Sequence, residues 1–137
     1  MTQNLLTLSD LDKELLEAAT SIIKQNYDSE NGNHTVGCAV RSKNGKIYVG
    51  VNVYSMHGAC AETVAIGAAI TNGERKFDSI VAVRGIDGRE VLAPCGNCRQ
   101  MLSDYMPDCL VIINTSNGIR KVKANELIPF AYTVPTD

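Results

Sequence analysis

Cys60-Ala61-Glu62, followed after a long interval by Pro94-Cys95-Gly96-Asn97-Cys98, supplies three thiolates for one metal ion, so the chain must fold with two distant segments touching at one point. A structural zinc site closes with four protein ligands, whereas a catalytic one keeps three and leaves the fourth position open. Cys60, Cys95 and Cys98 with the spare carboxylate of Glu62 therefore predict a reactive site holding one Zn²⁺ per chain.

The spacing constrains how those side chains are presented. Residues two apart on a helix point about 200° from each other, so Cys60 and Glu62 converge only if a helix offers its N-terminal end to the site. Cys95 and Cys98 are three apart and share a face, again at the first turn of a predicted helix. Two helix N-termini aimed at one point bring partial positive charge to three thiolates, favouring their ionisation and metal binding. Bound water on such a zinc ionises near a pKa of roughly 7 instead of 15.7, and a carboxylate beside it shuttles the proton to a leaving amine. These parts describe water attack with loss of ammonia.

Length and charge narrow the partner. At 137 residues the chain is expected to form one domain, residues 1–137, large enough to bury roughly two-thirds of its unfolded surface without disulfides. Five cysteines, an odd number, and an N-terminal segment broken by acids and amides argue for a reducing, cytoplasmic setting with no secretory leader. A net charge of −2 with no basic stripe argues against a nucleic-acid footprint, and no apolar run approaches the ~20 residues of a membrane span. A small soluble molecule is the expected partner.

Ser9 precedes apolar residues at 11, 15, 18, 19, 22 and 23, a helical period behind an N-cap that predicts a surface helix with a buried stripe. Residues 35–40 and 46–53 flank Asn44-Gly45, a hairpin signal. Residues 60–70 read as a buried helix stopped near Asn72-Gly73, and 79–83 as a strand followed by a loop through Gly85 and Gly88. A helix over 95–105 halted by Pro107, a strand over 110–114, a turn at Asn117-Gly118, an edge strand over 119–122 and a short helix over 125–132 interrupted by Pro129 complete the chain. Helices alternating with strands predict an α/β fold, a three-layer α/β/α sandwich around a single mixed central sheet.

Cys60-Ala61-Glu62 with Pro94-Cys95-Gly96-Asn97-Cys98-Arg99-Gln100 resembles the zinc-dependent cytidine deaminase superfamily, and the likeness runs from about Val36 to Tyr132. The resemblance implies the cytidine deaminase-like form of that sandwich and a catalytic Glu62 that is not a ligand. With cysteine rather than histidine as first ligand, the chain groups with the small nucleoside deaminases. It looks most like the branch acting on the cytosine ring of a nucleoside antibiotic, through Gly50-Val51-Asn52-Val53-Tyr54 and the late Leu127-Ile128-Pro129 with Tyr132. The implied substrate is a cytosine nucleoside and the implied assembly a homotetramer. Asn52 is expected to contact the sugar, and Tyr54 stands where cytidine deaminases carry a ribose-binding Glu. In such a site the backbone amides of Ala61 and Cys95 fix the base and the attacking water. Val134 stands where that branch carries a tryptophan, and the loop before Cys60 differs in length.

Other readings stand beside these. An ordinary cytidine or deoxycytidine deaminase fits the same motifs. His57, three residues before Cys60, offers a fourth ligand for a closed structural zinc in a catalytically silent interaction module. Arg99 either donates to the thiolates from the metal's outer shell or forms a surface ion pair. Tyr54 and Tyr132 stack on a pyrimidine or pack in the core, and His34 enters the pocket or sits on a solvated loop. Cys38 and Cys109 lie in predicted strands and read as packing residues.

Overall fold

The computed structural model describes residues 5–136. Helix α1 (Asp10–Asn26) starts at the expected cap: the Asp12 amide donates to Ser9 Oγ and the Ser9 amide donates to Asp12 Oδ2, a reciprocal capping box. Leu15, Ala19 and Ile23 are fully buried at a spacing of four, forming the stripe that packs on the sheet. Leu11, read as part of it, is 60% exposed; Asp12 takes the buried place in that turn because Lys121 neutralises it.

Strands β1 (Val36–Ser42) and β2 (Ile47–Val51) form the hairpin, with Gly45 at φ +94°, a left-handed turn that glycine adopts without strain. Helix α2 (Ala61–Thr71) leads to β3 (Phe77–Arg84). The stretch after β3, read only as a loop, contains β4 (Glu90–Leu92), three residues pairing antiparallel with the end of β3. So short a run carries no periodicity of its own and exists because β3 offers an open edge there. Helix α3 (Gly96–Tyr105) crosses to β5 (Leu110–Thr115), the one partner parallel to β3, and β6 (Gly118–Lys123) turns back along β5. The terminal α-helix expected over 125–132 is absent: one 3-10 turn spans Ala124–Leu127, and the chain then runs on without regular structure through Pro129. A proline in so short a helix removes a donor and clashes with the preceding turn.

The strands run in the order β2-β1-β3-β5-β6, with β4 beside β3, in a single mixed sheet. Side chains alternate across it. Ala39, Val81, Val83 and Ile112 face α1, while Cys38, Val40, Ile80 and Ala82 face α2 and α3, giving three layers. Cys38 and Cys109 are packed within the second cluster, and burial pushes the Cys109 thiol up to about 12. Gly50 lets α2 lie directly on β2: a Cβ there would stand 2.6 Å from the Ala65 amide nitrogen. That close seat sets the height at which α2 presents its N-terminus. No helix among the described residues is long and apolar enough to cross a membrane.

Candidate active site

Cys60 and Cys95 occupy the N-cap positions of α2 and α3, both with extended backbone, and Cys98 lies in the first turn of α3. The two helix ends meet. The three sulfurs lie within 4.8 Å of one another, and Cys60 Sγ is 3.8 Å from Cys95 Sγ. Sulfurs about 2.3 Å from a tetrahedral zinc stand about 3.8 Å apart, so the donor set fits that ion in charge, softness and span.

The electrostatics ask for a cation. Burial pushes the Cys98 thiol far above its ordinary value, with the Glu62 charge and the neighbouring sulfurs adding to it, and burial likewise raises Cys60. Burial acts the same way on Cys95, but the amides of Cys98 and Asn97 point at its sulfur and bring it below the ordinary value. This is the helix N-terminus stabilising a thiolate. A metal ion held by the three sulfurs would supply the remaining charge that keeps the other two thiols ionised.

Glu62 sits in the first turn of α2 and is 7% exposed, and its burial raises the carboxyl above the usual range. It borders a void of about 10 Å³ shared with Ala82, Leu92, Pro94 and Leu102, room for about one water. Ala61 is buried at the first helical position, where its amide has no partner within the helix.

Asn52 and Tyr54 line an open hollow of about 340 Å³ that reaches Cys60, with Met56 and Ala59 on its wall. Asn52 also braces that wall: its Oδ1 accepts from the Thr35 and Val36 amides at 2.8 and 2.9 Å, leaving its amide nitrogen as the group for a ligand. His34 is not free on a loop; its Nδ1 donates to the Asn52 carbonyl at 2.8 Å, which places the proton on Nδ1. His57 is exposed on the loop before Cys60 and is absent from the ligand cluster.

Arg99 directs two donors away from the sulfurs, Nε to the Pro94 carbonyl at 2.8 Å and Nη1 to the Leu127 carbonyl at 3.1 Å. It thereby ties the turn carrying Cys95 to the 3-10 turn near the C-terminus. Tyr132 is 67% exposed and is held by its backbone, whose carbonyl accepts from Gln100 Nε2 at 2.9 Å. Neither the Leu127 carbonyl nor the bracing role of Asn52 was visible in the sequence, since both depend on backbone groups brought together by the fold.

Residues 9–114 match the model of the cytidine and deoxycytidylate deaminase zinc-binding region. The chain belongs to that family. It is thus a zinc-dependent deaminase, which sets aside the catalytically silent zinc module. The deaminase is 43% identical over 135 residues to the blasticidin-S deaminase of Bacillus cereus, covering 92% of this chain and 95% of the relative. It is 33% identical over 104 residues to a cytidine deaminase of Halalkalibacterium halodurans, covering 72% and 76%. Among solved structures, cytidine deaminase from Burkholderia pseudomallei superposes with a TM-score of 0.73 at 29% identity over 91% of this chain and 100% of that one.

Proposed function

We propose that the deaminase hydrolyses the 4-amino group of a cytosine nucleoside such as blasticidin S, the substrate in the name of the Bacillus cereus relative. The observation that carries the reading is the buried carboxyl of Glu62 two residues from a thiolate cluster open on one side, where Cys95 is exposed. Cys60, Cys95 and Cys98 would hold the zinc, whose Lewis acidity would make water a nucleophile at neutral pH. Glu62 takes the proton of the attacking water, places it on the ring nitrogen and then delivers a proton to the departing amine. Water adds at C4, the C4–N bond breaks, and ammonia and a uracil nucleoside leave. The amides of Ala61 and Cys95 orient the base and the water, Asn52 meets the sugar through its side-chain amide, Tyr54 lines the opening, and Tyr132 is the further substrate contact that the family resemblance implies. Arg99 keeps the Cys95 turn in place.

The alternative substrate is plain cytidine or deoxycytidine, favoured by the cytidine deaminase relatives. Ammonia release over a panel of cytosine nucleosides tests both. No release from any of them would refute the reading.

The assembly we infer is a homotetramer, working in a reducing cytoplasm where none of the five cysteines enters a disulfide. Phe130 adopts φ +56°, unusual for an aromatic residue, yet is fully exposed, and Tyr132 and Val134 follow it outward. A neighbour burying these side chains offsets that strain and completes a hollow that one chain leaves open. Light scattering showing an active monomer at micromolar concentration would overturn this assembly.

A further inference from the structure

Asn52, the proposed sugar contact, and Cys60, the first of the clustered sulfurs, are joined by a loop that closes on itself. Val53 and Ala59 exchange both backbone hydrogen bonds, at 2.9 and 3.0 Å, forming an isolated antiparallel bridge at the base of the loop. Inside it the Gly58 amide donates to the Ser55 carbonyl at 3.1 Å and completes the reversal. Carried one step outward, that register sets Asn52 opposite Cys60, in the closer kind of antiparallel pair, with Cα atoms about 4.5 Å apart and side chains on one side. Both residues accordingly line the same hollow.

The two ends of the loop are anchored. The Asn52 amide donates to the Val36 carbonyl at 3.2 Å, its carbonyl accepts from His34 Nδ1, and its Oδ1 accepts from the Thr35 and Val36 amides. That fixes Asn52 to the start of β1. The Cys60 carbonyl accepts from the Val64 amide at 3.2 Å and opens α2. Between these anchors residues 53–58 are all exposed, so the loop adds little to the hydrophobic core. Its bridge instead sets how far Asn52 stands from Cys60.

Closure depends on the smallest side chain. A Cβ at Gly58 would overlap the Val53 carbonyl oxygen and stand 2.8 Å from the Ser55 nitrogen, backbone atoms that no side-chain rotation moves aside. The Val53 carbonyl is an acceptor in the bridge, so a larger residue at 58 opens it. We infer that Gly58 is a positioning residue of the deaminase, holding the Val53–Ala59 bridge shut and thereby setting the span between the sugar contact and the metal-cluster cysteine. The inference rests on the nucleoside reading above and deepens it. A misplacement of about 1 Å between such groups lowers a rate by about 10²-fold.

The test compares the wild type with Gly58→Ala and, on the same turn, with His57→Ala, whose side chain is exposed and lies outside both the sulfur cluster and the hollow. Hydrogen exchange at the Val53 and Ala59 amides and the melting temperature are measured on the metal-free proteins. Zinc release to a chelator and kcat/KM for cytidine and blasticidin S are measured on the zinc-loaded ones. Gly58→Ala is expected to lose protection at both amides and to release zinc roughly tenfold to a hundredfold faster, with a similar loss in kcat/KM and a melting temperature within a few degrees of wild type. His57→Ala should match the wild type throughout. Asn52→Asp keeps the accepting Oδ1 and removes the ligand-facing amide, so Gly58→Ala should cost less kcat/KM in that background than alone. Additive losses, unchanged exchange and zinc release in Gly58→Ala, or equal effects in His57→Ala would overturn the positioning role. A large fall in the melting temperature of Gly58→Ala would make the glycine a structural residue and overturn it too, and unprotected Val53 and Ala59 amides in the wild type would remove the bridge itself. No ammonia from any nucleoside with the wild type would overturn the nucleoside reading, while exchange and zinc release still decide the bridge.

Discussion

Lys121 Nζ lies 2.6 Å from Asp12 Oδ2, and the two side chains are only 13% and 7% exposed. The pair joins the first turn of α1 to the edge strand β6 and completes the Ser9 capping box, so one carboxylate fastens a helix both to its own start and to the sheet. Burial by itself raises the Asp12 carboxyl, but the Lys121 and Ser9 hydrogen bonds outweigh it and hold the group below the usual range. A depressed carboxyl stabilises the fold above its unfolded pKa, about 3.9, and that contribution is lost as pH falls through the lower folded value. Asp12→Asn should therefore destabilise by about 3 kcal/mol at pH 7, since an unpartnered lysine is left behind. The gap to wild type should narrow below pH ~4. Urea unfolding across that range reads it, and a gap constant down to pH 2.5 on such scans, roughly 1.5 units past the unfolded value, would show the pair to be idle.

Glu62→Gln should reduce turnover by about 10²–10⁴-fold or more while zinc stays near one per chain, because the role proposed for the side chain is to move protons and not to ligate. The volume hardly changes. Substantial activity in the variant, or loss of its metal, would show that Glu62 has another role.

The cysteines should divide into two classes. Cys98→Ser should lose zinc and stability together, since ligation is coupled to folding. Cys109→Ser should keep its zinc, because that thiol is buried in the core just before β5 and is not among the clustered sulfurs. Metal analysis with thermal unfolding separates them. Equal zinc content in the two variants would refute the assignment.

Tyr54 is 76% exposed on the wall of the hollow at Cys60, where the resemblance expects a sugar-binding carboxylate. Without that acceptor, discrimination between cytidine and deoxycytidine should be weak, and Tyr54→Glu should raise it about tenfold or more, the worth of one charged hydrogen bond. Steady-state kinetics on both nucleosides measure the ratio. A strong preference for cytidine, indifferent to Tyr54, would move sugar recognition to another residue.

The sequence by itself determined the elements that carry their own periodicity or punctuation: α1 behind Ser9, the hairpin around Asn44-Gly45, α2, α3 and the buried strands. It also determined the candidate metal site, because the geometry of a three-thiolate site dictates that Cys60, Cys95 and Cys98 converge at helix starts, and they do. What it left open depended on contacts between distant backbone groups. β4 exists because the end of β3 has an open edge, and the chain after Leu127 leaves the helical path at Pro129 and carries Phe130 to Val134 outward. Arg99 could have turned to the sulfurs or to solvent, and only the packing of the Pro94 and Leu127 carbonyls around it settled where its donors go. The same holds for Gly58, an ordinary loop glycine in the sequence, which the bridge between Val53 and Ala59 sets against the Val53 carbonyl. Periodicity and ligand chemistry are local and can be read along a chain; hydrogen-bond partners and the cavities between strands arise only when the chain has closed on itself.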